Sequence, residues 1–293
     1  MSKIEITTDS GICPLNEDNM ISGIINKDNS ESLRDVREIT SSDIIEQTRL
    51  GHKFNTSSPL LGDYYDMFEK KLENSDVIHL CMSSGISEGS VNAPLNVAKD
   101  LNEQYDNKVY VIDTLTATTG GTIINEIAKN LVNKGLTTKE VVGELEEIKR
   151  TIQTSFYVPD PEGFIRSGRD KSHLYINKAL VIGARAVKMA GVKYRVDFNE
   201  DGNLYTKSLL HSKNKVGMLK LVKTIVNERT LENYRPDYVA IGNLKEKNVS
   251  MEEIEDYLKS FGYFENIINK SINGVVACYG TEDLCGISLI KRK

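Results

Sequence analysis

The sequence predicts an α/β fold with two domains, the first of which is built on a parallel sheet. Val77–Met82 is a continuous apolar run, typical of a strand buried on both faces, and KVYVIDT at Lys108–Thr114 is a second strand one helix later. Strands and helices that alternate in this way form parallel sheets with right-handed crossovers. The chain has 293 residues, more than one ordinary domain. We therefore expect an N-terminal parallel-sheet domain at residues 1–155 and a C-terminal α/β domain at residues 156–293.

The first fifty residues predict one strand and one helix. KIEITTDS at Lys3–Ser10 alternates polar and apolar residues, as a short strand does, whereas residues 11–40 are polar and predict no regular element. SSDIIEQTRLG then predicts a helix over Ser41–Gly51. Ser42 is the expected N-cap, and Gly51 is the expected residue just past the helix end.

Helical spacing predicts the other helices of the first half. NTSSPLLGDYYDMFEKKLENSD is interpreted as a loop followed by a helix whose apolar stripe contains Tyr65, Phe68 and Leu72. Three further helices are expected at Val91–Asn102, Ile123–Lys134 and Lys139–Gln153.

The second half has a different pattern. YRVDFNEDGNLYTKSLL contains two alternating strands around Glu200–Asn203, which predicts a hairpin. SMEEIEDYLKSFG predicts a helix with a capping box formed by Ser250 and Glu253. The other elements expected here are helices at Ile176–Lys188 and Lys213–Asn227, a strand at Asp237–Leu244, and apolar stretches at Glu265–Ile268 and Gly274–Cys278.

Composition excludes several classes of function. The formal net charge of −5 lacks the basic excess expected of a nucleic-acid-binding protein. The four cysteines have no CxxC spacing, so we expect reduced thiols and no metal site. The N-terminus lacks the features of a signal peptide, and no apolar run approaches the roughly 18 residues needed to span a bilayer. We therefore expect a cytoplasmic protein without a membrane span.

A row of small polar residues follows the first buried strand: Ser83, Ser84, Gly85 and Ser87. Ligands bind beyond the carboxyl ends of strands in open parallel sheets, and hydroxyls with backbone N–H groups near a helix start suit an anionic head group. Gly85 is expected either to adopt a positive φ or to allow a ligand close to the backbone. The same residues also fit an ordinary strand–helix turn with an N-cap, and the loop alone does not separate the two interpretations.

Two further hydroxyl clusters occur in the first half. Asn55–Pro59 precedes a predicted helix, and its simplest interpretation is a capped helix start. The other cluster follows KVYVIDT and contains Thr114, Thr116, Thr118 and Thr119. Because the loops after parallel strands meet at one edge of a sheet, we expect the three clusters to converge on a polar mouth.

Cationic and catalytic candidates are few. Arg166 and Arg169 in IRSGRDKS can present guanidinium groups to a carboxylate or phosphate, although solvated loop arginines are the simpler interpretation. His79 lies inside an apolar strand and is interpreted as a hydrogen-bonded core residue. The serines have no histidine at a telling spacing, and no nucleotide-binding, zinc-protease or hydrolase motif occurs. A polar mouth without an acid–base pair predicts a binding protein rather than an enzyme.

Six segments resemble the DegV family of bacterial fatty-acid-binding proteins, which includes the fatty-acid-binding subunits of fatty acid kinase. They are ITTDS, TSSPLLGDYYDMFEKKL, IHLCMSSGISEGS, VYVIDTLTATTGG, SFYVPDPEGFIRSGR and ACYGTEDLCGISLI. They occur in the order typical of the family along almost the whole chain. The resemblance implies a two-domain DegV-like fold with a long-chain fatty acid in an apolar tunnel between the domains.

The resemblance also implies a head-group site. Thr56 of the T-S-x-P motif and either Ser84 or Ser87 of the S-S-x-[LI]-S loop match the residues that hold the carboxylate. Arg169 matches the arginine of a Gly-Arg turn, which is also implicated in contacting the kinase. The ligand-binding residues expected on this basis are Thr56, Ser57, Ser83, Ser84, Gly85, Ile86, Ser87, Thr114 and Arg169. No catalytic residue, metal or cofactor is expected, since a separate fatty acid kinase phosphorylates the acid in this family.

The chain departs from the family pattern near its C-terminus. Many members have a histidine in a T-H-x-G-P-G stretch, where this sequence reads ACYGTE at Ala277–Glu282. Two other functions therefore stay open: a lipid-binding regulatory protein that does not couple to a kinase, and an enzyme that acts on a small carboxylated or phosphorylated substrate. An apolar tunnel below the loops favours the carrier, whereas a short polar cleft favours the enzyme.

Overall fold

A computed structural model describes residues 3–159, 192–211, 217–244, 251–280 and 283–292. The strands are β1 (Lys3–Asp9), β2 (Met20–Ile21), β3 (Ile24–Lys27), β4 (Glu31–Arg34), β5 (Phe54–Ser57), β6 (Ser75–Cys81), β7 (Val109–Asp113), β8 (Ile152–Val158), β9 (Val192–Phe198), β10 (Leu204–His211), β11 (Tyr234–Asn243), β12 (Asn266–Asn269) and β13 (Cys285–Lys291). The α-helices are α1 (Ser41–Arg49), α2 (Leu61–Leu72), α3 (Glu88–Gln104), α4 (Thr119–Asn133), α5 (Thr138–Ile148), α6 (Gly217–Ile225), α7 (Met251–Lys259) and α8 (Gly274–Ala277). Arg166, Arg169, Ser250 and the helix predicted at Ile176–Lys188 lie outside the described residues.

The first sheet is parallel throughout, as predicted. Its strands lie in the order β2-β1-β6-β7, so the apolar run that predicts the sheet occupies an interior strand. The side chains of β6 are buried on both faces of the sheet: Val77 packs with α2 and α3, whereas Ile78 and Leu80 pack with α4 and α5. The continuous apolar pattern of β6 therefore has a direct cause, because helices cover both faces of the sheet.

The second sheet is mixed and contains six strands in the order β10-β9-β8-β13-β11-β12. Neighbouring strands are antiparallel except β11 and β12, which run parallel, and β9 and β10 form the predicted hairpin. Helices α6 and α7 cover one face through a cluster that includes Leu221, Ile254 and Ile287. The opposite face is turned toward the first half of the chain, since Phe156 of β8 belongs to the same cluster as Ile25 of β3.

The sequence does not predict the third sheet, which is antiparallel and has the strand order β4-β3-β5. The expectation of a loop at the TSSP cluster is wrong in part, because Thr56 and Ser57 pair with Ile25 and Ile24 of β3. Each of these strands is only four residues long, so its alternation of polar and apolar residues is too short to stand out in a polar region.

The helix predicted over Lys139–Gln153 ends earlier than expected. Helix α5 stops at Ile148, a 3₁₀ turn covers Lys149–Thr151, and β8 begins at the next residue. The β8 segment IQTSFYV is rich in β-branched and aromatic residues, which favour a strand. The predicted domain boundary at residue 155 falls inside this strand, and the division of the chain at that point stays a prediction.

Several helices begin at other residues than the pattern suggests. Thr40 rather than Ser42 is the N-cap of α1, because Thr40 forms a capping box with Asp43. Gly51 follows the end of α1 with a φ of +98°, as expected of a glycine at that position. Helices α3 and α4 begin three and four residues earlier than predicted, respectively. Their first turns consist of polar residues and glycine, so the apolar pattern does not show where these helices start.

The buried stripe of α2 agrees with the prediction at Phe68 and Leu72, but its first member is Tyr64 and not Tyr65. Tyr64, Phe68 and Leu72 are buried against the parallel sheet, whereas Tyr65 is half-buried and donates its hydroxyl to Asp100 at 2.7 Å. The phenol oxygen lets Tyr65 remain near the surface of the helix, where a purely apolar residue would be less favourable.

A chain of buried hydroxyls joins the two halves of the molecule. Thr116 Oγ1 lies 2.8 Å from Thr154 Oγ1, Thr154 Oγ1 lies 2.8 Å from Ser288 Oγ, and Ser288 Oγ lies 2.7 Å from Thr119 Oγ1. Because each hydroxyl can both donate and accept, the chain satisfies all four groups without water. Two threonines expected at a polar mouth therefore bind the second sheet instead.

Candidate functional site

A cavity of about 330 Å³ lies between the carboxyl end of the parallel sheet and the second sheet. The volume is within the usual range for small-molecule sites. Its apolar wall contains Met82, Ile86, Ala117, Phe156, Val158, Val196, Leu204, Val275, Val276 and Leu284. Its polar side chains are Asp9, Ser10, Thr56, Ser57, Ser58, Ser87, Ser90, Thr118 and Tyr279. Among the described residues, the first half thus contributes most of the polar groups, and the second half is apolar except for Tyr279.

Five of the nine residues predicted to bind a ligand line this cavity: Thr56, Ser57, Gly85, Ile86 and Ser87. Strand β5 carries Thr56 and Ser57 to the wall, and the loop between β6 and α3 carries the other three. Ser87 is the N-cap residue of α3, yet its side chain makes no hydrogen bond to that helix. Its hydroxyl is therefore available to a ligand.

The loop after β6 is folded against the hairpin turn between β9 and β10. Ser83 is fully buried, donates its hydroxyl to the carbonyl of Gly202 at 2.8 Å and accepts the N–H of Gly85 at 3.2 Å. A side chain at Gly85 would collide with the backbone of Gly202 and Asn203. Gly85 therefore permits a close backbone approach, but with a φ that is not positive and toward the hairpin turn as well as the cavity.

Like Ser83, the predicted residues Ser84 and Thr114 do not line the cavity. The hydroxyl and the N–H of Ser84 both donate to the carboxylate of Asp113, the last residue of β7. Thr114 is fully buried and donates its hydroxyl to the carbonyl of Cys81 at 2.8 Å. These contacts tie the loops after β6 and β7 to each other, so both side chains shape the cavity from outside it.

The structure confirms the interpretation of His79 as a core residue. Its Nδ1 lies 2.9 Å from the hydroxyl of Thr7, and its ring packs edge-on against Tyr64 and Phe68. Burial lowers the pKa of His79 to about 3, so the imidazole is neutral at ordinary pH. His79 is therefore part of the core that supports β6, away from the cavity wall.

Sequence reasoning missed Tyr279 as a site residue. Its hydroxyl lies 2.6 Å from Thr56 Oγ1 and accepts the N–H of Thr56 at 3.1 Å. The segment around Tyr279 attracts attention in the sequence only as a departure from the family's histidine-containing stretch. The phenol thus adds a polar hydrogen-bonding group to the wall that β5 forms.

Asp9 and Thr118 are two further polar residues of the wall outside the predicted ligand-binding set, as are Ser10, Ser58 and Ser90. Asp9 ends β1 at the carboxyl edge of the sheet, the position at which parallel sheets place functional side chains. Thr118 precedes α4 with a φ of +52°, a strained conformation for a residue with a side chain. Such strain persists where the surrounding structure requires it, and it is common at ligand sites.

The wall can hold an amphipathic ligand through two kinds of contact. Aliphatic and aromatic side chains bury an apolar portion, while hydroxyls and a phenol offer hydrogen bonds to a polar head. The described part of the chain contains no cluster of His, Cys, Asp and Glu side chains suited to a metal ion. Nor does any helix in that part combine the length and apolarity needed to cross a membrane.

Comparison with known sequences identifies relatives along the chain. The sequence profile of the DegV family, described as an uncharacterised protein family, matches residues 3–292. The DegV domain-containing protein YteA of Lactococcus lactis is 27% identical over 180 residues, which cover 60% of this chain and 58% of that protein. A fatty acid-binding protein of Thermotoga maritima is 24% identical over 193 residues, which cover 58% of this chain and 65% of that protein. These matches span less than two thirds of the length of either relative.

Solved structures match over the full length. A fatty-acid-binding DegV family protein of Thermus thermophilus has a TM-score of 0.81 at 21% identity, covering 99% of this chain and 100% of that one. DegV of Bacillus subtilis, a fatty acid binding protein, has a TM-score of 0.78 at 20% identity with 100% of both chains covered. A DegV family protein of Eubacterium eligens, solved with heptadecanoic acid, has a TM-score of 0.78 at 15% identity, covering 99% of this chain and 100% of that one.

These similarities confirm the predicted DegV-like fold, in which a parallel-sheet α/β unit is combined with a second α/β unit. The profile matches almost every residue, and the six ordered motifs of the sequence lie within the matched range. The chain belongs to the DegV family.

Proposed function

We propose that this protein binds a long-chain fatty acid in the cavity between its two sheets. The observation that carries the proposal is the composition of the cavity lining, which combines ten apolar side chains with a group of hydroxyls. The fatty acids described for solved relatives of the same fold support it. An apolar wall of this extent favours a carrier over an enzyme that acts on a small polar substrate.

The apolar tail supplies most of the affinity in this proposal. Each buried CH₂ contributes about 0.8 kcal/mol, so a long chain gains far more from burial than the head group does. Phe156 and Val158 of β8 and Val196 of β9 provide one apolar surface, and Val275 and Val276 of α8 provide another.

The carboxyl group needs hydrogen-bond donors, because a charged group taken out of water is otherwise very costly. We assign this role to Thr56, supported by Tyr279, and to Ser87. Ser87 is preferred to Ser84, because Ser84 already donates to Asp113 and lies outside the cavity wall. Ser57 and Ile86 complete the wall beside these groups, whereas Ser83, Ser84 and Thr114 position the loops; Arg169 stays a prediction.

Native mass spectrometry of the purified protein tests this proposal. The protein should carry a mass equal to a long-chain fatty acid, or should take up oleate or palmitate after removal of lipid. Protein that is free of ligand and also fails to take up either acid would overturn the proposal.

We further propose that the protein presents the bound carboxylate to a separate fatty acid kinase in the cytoplasm and has no catalytic residue of its own. This step rests on the motifs shared with the family and on the four cysteines, whose lack of CxxC spacing suits a reducing compartment. The test combines the protein, its candidate kinase, ATP and oleate, and measures acyl-phosphate formation. Oleate binding without acyl-phosphate formation would instead favour a regulatory lipid-binding protein.

A further inference from the structure

Asp9, the last residue of β1, places a buried carboxyl group in the cavity wall. Its side chain is 3% exposed. The Oδ2 atom accepts the N–H of Met82 at 2.8 Å, whereas Oδ1 is buried and accepts no hydrogen bond of ordinary geometry. The N–H groups of Gly11 and Ile12 nevertheless favour the ionised carboxylate, as that of Met82 does. Leaving a buried polar atom unpaired costs about 1–3 kcal/mol, more when it is charged. A ligand that brings a proton to Oδ1 would remove this cost.

A second unpartnered polar atom lies in the same wall. Thr118 is fully buried, and its hydroxyl has no hydrogen-bond partner. The N–H of Thr118 donates to the carbonyl of Gly11 at 2.7 Å, which holds the loop before α4 against the turn that follows Asp9. Asp9 Oδ1 and the hydroxyl of Thr118 are thus two unsatisfied polar atoms in the lining of one cavity. The two segments that carry them are hydrogen-bonded to each other.

The charge state of Asp9 is set mainly by its burial. Burial raises the pKa of Asp9 to about 7, although the N–H groups of Met82, Gly11 and Ile12 act in the opposite direction. The carboxyl of Asp35, in the loop after β4, adds a smaller upward effect. Burial also raises the pKa of Asp35 itself, to about 6.

Other titratable groups face Asp9 from the neighbouring elements. Cys13 follows a 3₁₀ turn at Ser10–Ile12, Tyr64 belongs to α2, and Cys81 ends β6. Burial raises the pKa of all three, so they are neutral near pH 7. Tyr279 is the other titratable side chain that the described residues place in the cavity wall. An experiment therefore has to distinguish a change in the charge of Asp9 from a change in the charge of Asp35.

We propose that the carboxyl group of a bound fatty acid shares a single proton with Asp9, with the hydroxyl of Thr118 as a further hydrogen-bond partner. This inference rests on the proposed fatty acid binding and specifies how the head group is neutralised. Two carboxylates a hydrogen bond apart do not both stay ionised, because their repulsion in a buried site raises the pKa of the pair. The shared proton gives Oδ1 the partner that it lacks.

The proposal fixes the proton balance of binding. A free fatty acid is ionised at neutral pH, since carboxyl groups in water have pKa values of about 4 to 5. The complex holds one proton, which comes from Asp9 when this residue is already protonated and from solvent when it is ionised. Binding should therefore take up about half a proton near pH 7, given a pKa of about 7, and nearly one proton at about pH 9. The affinity should fall roughly tenfold per pH unit above pH 7.

Calorimetric titration of the lipid-free protein with oleate tests the proposal directly. Titrations in two buffers of different ionisation enthalpy, from about pH 6 to about pH 9, give the number of protons taken up at each pH. Asp9→Asn keeps the shape of the side chain, and its amide can donate to an ionised head group. This variant should take up no proton, and its affinity should stay constant across the range.

Asp35→Asn is the matched control, because Asp35 is buried near Asp9 but does not line the cavity. It should retain the proton uptake of the wild type. Uptake that persists in Asp9→Asn, or that disappears in Asp35→Asn, would overturn the proposal.

Oleyl alcohol provides a test that needs no variant, in case Asp9→Asn does not fold. An alcohol brings its own proton to Oδ1, so the wild type should bind it without proton uptake. Equal uptake with the alcohol and the acid would contradict the shared proton. Absence of oleate binding at every pH would contradict fatty acid binding itself, whereas binding without uptake at about pH 9 would contradict the proton-sharing inference alone.

Discussion

Four α-helices have a serine or threonine N-cap that is itself among the described residues, and these N-cap residues form two contrasting pairs. Thr40 and Thr137 each accept an N–H from the first turn of their helices, α1 and α5, and complete a capping box. Ser87 and Thr118 occupy the same position before α3 and α4, but neither side chain bonds to its helix. Both of these hydroxyls line the cavity.

The third helical residue marks the difference between the two pairs. Asp43 and Glu140 stand at this position in α1 and α5, and each carboxylate accepts the N–H of the N-cap residue. The corresponding residues in α3 and α4 are Ser90 and Gly121, which cannot complete a capping box. An N-cap hydroxyl that lacks an acidic residue at the third helical position is thus a better candidate for a ligand contact than one that has it. This criterion is more selective than the number of hydroxyls in a loop.

The largest expected effect is a loss of oleate affinity when hydroxyls that line the cavity are removed. Thr56→Val combined with Ser87→Ala removes two hydroxyls from the cavity wall and should weaken oleate binding by about 2–4 kcal/mol, at least about thirtyfold. Competition against a fluorescent fatty acid measures the loss. Thr137→Ala, which removes a capping hydroxyl that does not line the cavity, is the control and should bind oleate normally. Equal affinities for the double variant and the wild type would place the head group elsewhere.

The next effect concerns the loop that presents Ser87. Gly85→Ala introduces a side chain against the carbonyl of Gly202 and should lower the free energy of unfolding by about 1–3 kcal/mol. Gly143 lies inside α5 with no atom near its missing side chain, so Gly143→Ala should instead raise stability by about 0.5–1 kcal/mol. Urea unfolding of the lipid-free variants separates the two. A neutral Gly85→Ala would mean that the hairpin does not hold this loop.

A smaller effect isolates capping from ligand binding. Thr137→Ala should lower the free energy of unfolding by about 1 kcal/mol, because it removes the hydroxyl that accepts the N–H of Glu140. Ser87→Ala should change it by less than about 0.5 kcal/mol, since Ser87 makes no capping bond. Urea unfolding without ligand measures both. Similar losses in the two variants would mean that Ser87 is an ordinary cap.

The smallest effect tests the residue that sequence reasoning missed. Tyr279→Phe removes the phenol oxygen that contacts Thr56 and should weaken oleate binding by about 1 kcal/mol, roughly fivefold. The unfolding free energy should change little, because Tyr279 is not fully buried. Tyr65→Phe, which loses a surface hydrogen bond to Asp100, is the matched control for affinity. A larger loss in the control than in Tyr279→Phe would contradict the role of Tyr279.

The sequence predicts the parallel sheet because its signal is local and strong. The apolar run of β6 exists because helices bury both faces of that strand, so the pattern records its environment directly. Strands β3, β4 and β5 carry no comparable pattern, since each has four residues and a mostly polar, partly exposed surface. Their pairing depends on neighbours distant in the sequence, which periodicity does not detect.

The candidate site is predicted only in part for a related reason. The family resemblance points to Thr56 and to either Ser84 or Ser87, but the sequence does not show that Ser84 and Thr114 have partners within the protein. Nor does it show that Tyr279 reaches Thr56 from more than two hundred residues away. Hydroxyls serve packing and ligands equally well, and only the three-dimensional arrangement of their partners separates these uses.

A crystal structure of the protein with oleate tests the central claim most directly. The proposed function predicts the carboxyl group within hydrogen-bond distance of the hydroxyls of Thr56 and Ser87, with the acyl chain against Phe156 and Val196. An oleate bound outside this cavity, or one bound with its carboxyl group against the apolar wall of the second sheet, would contradict the account.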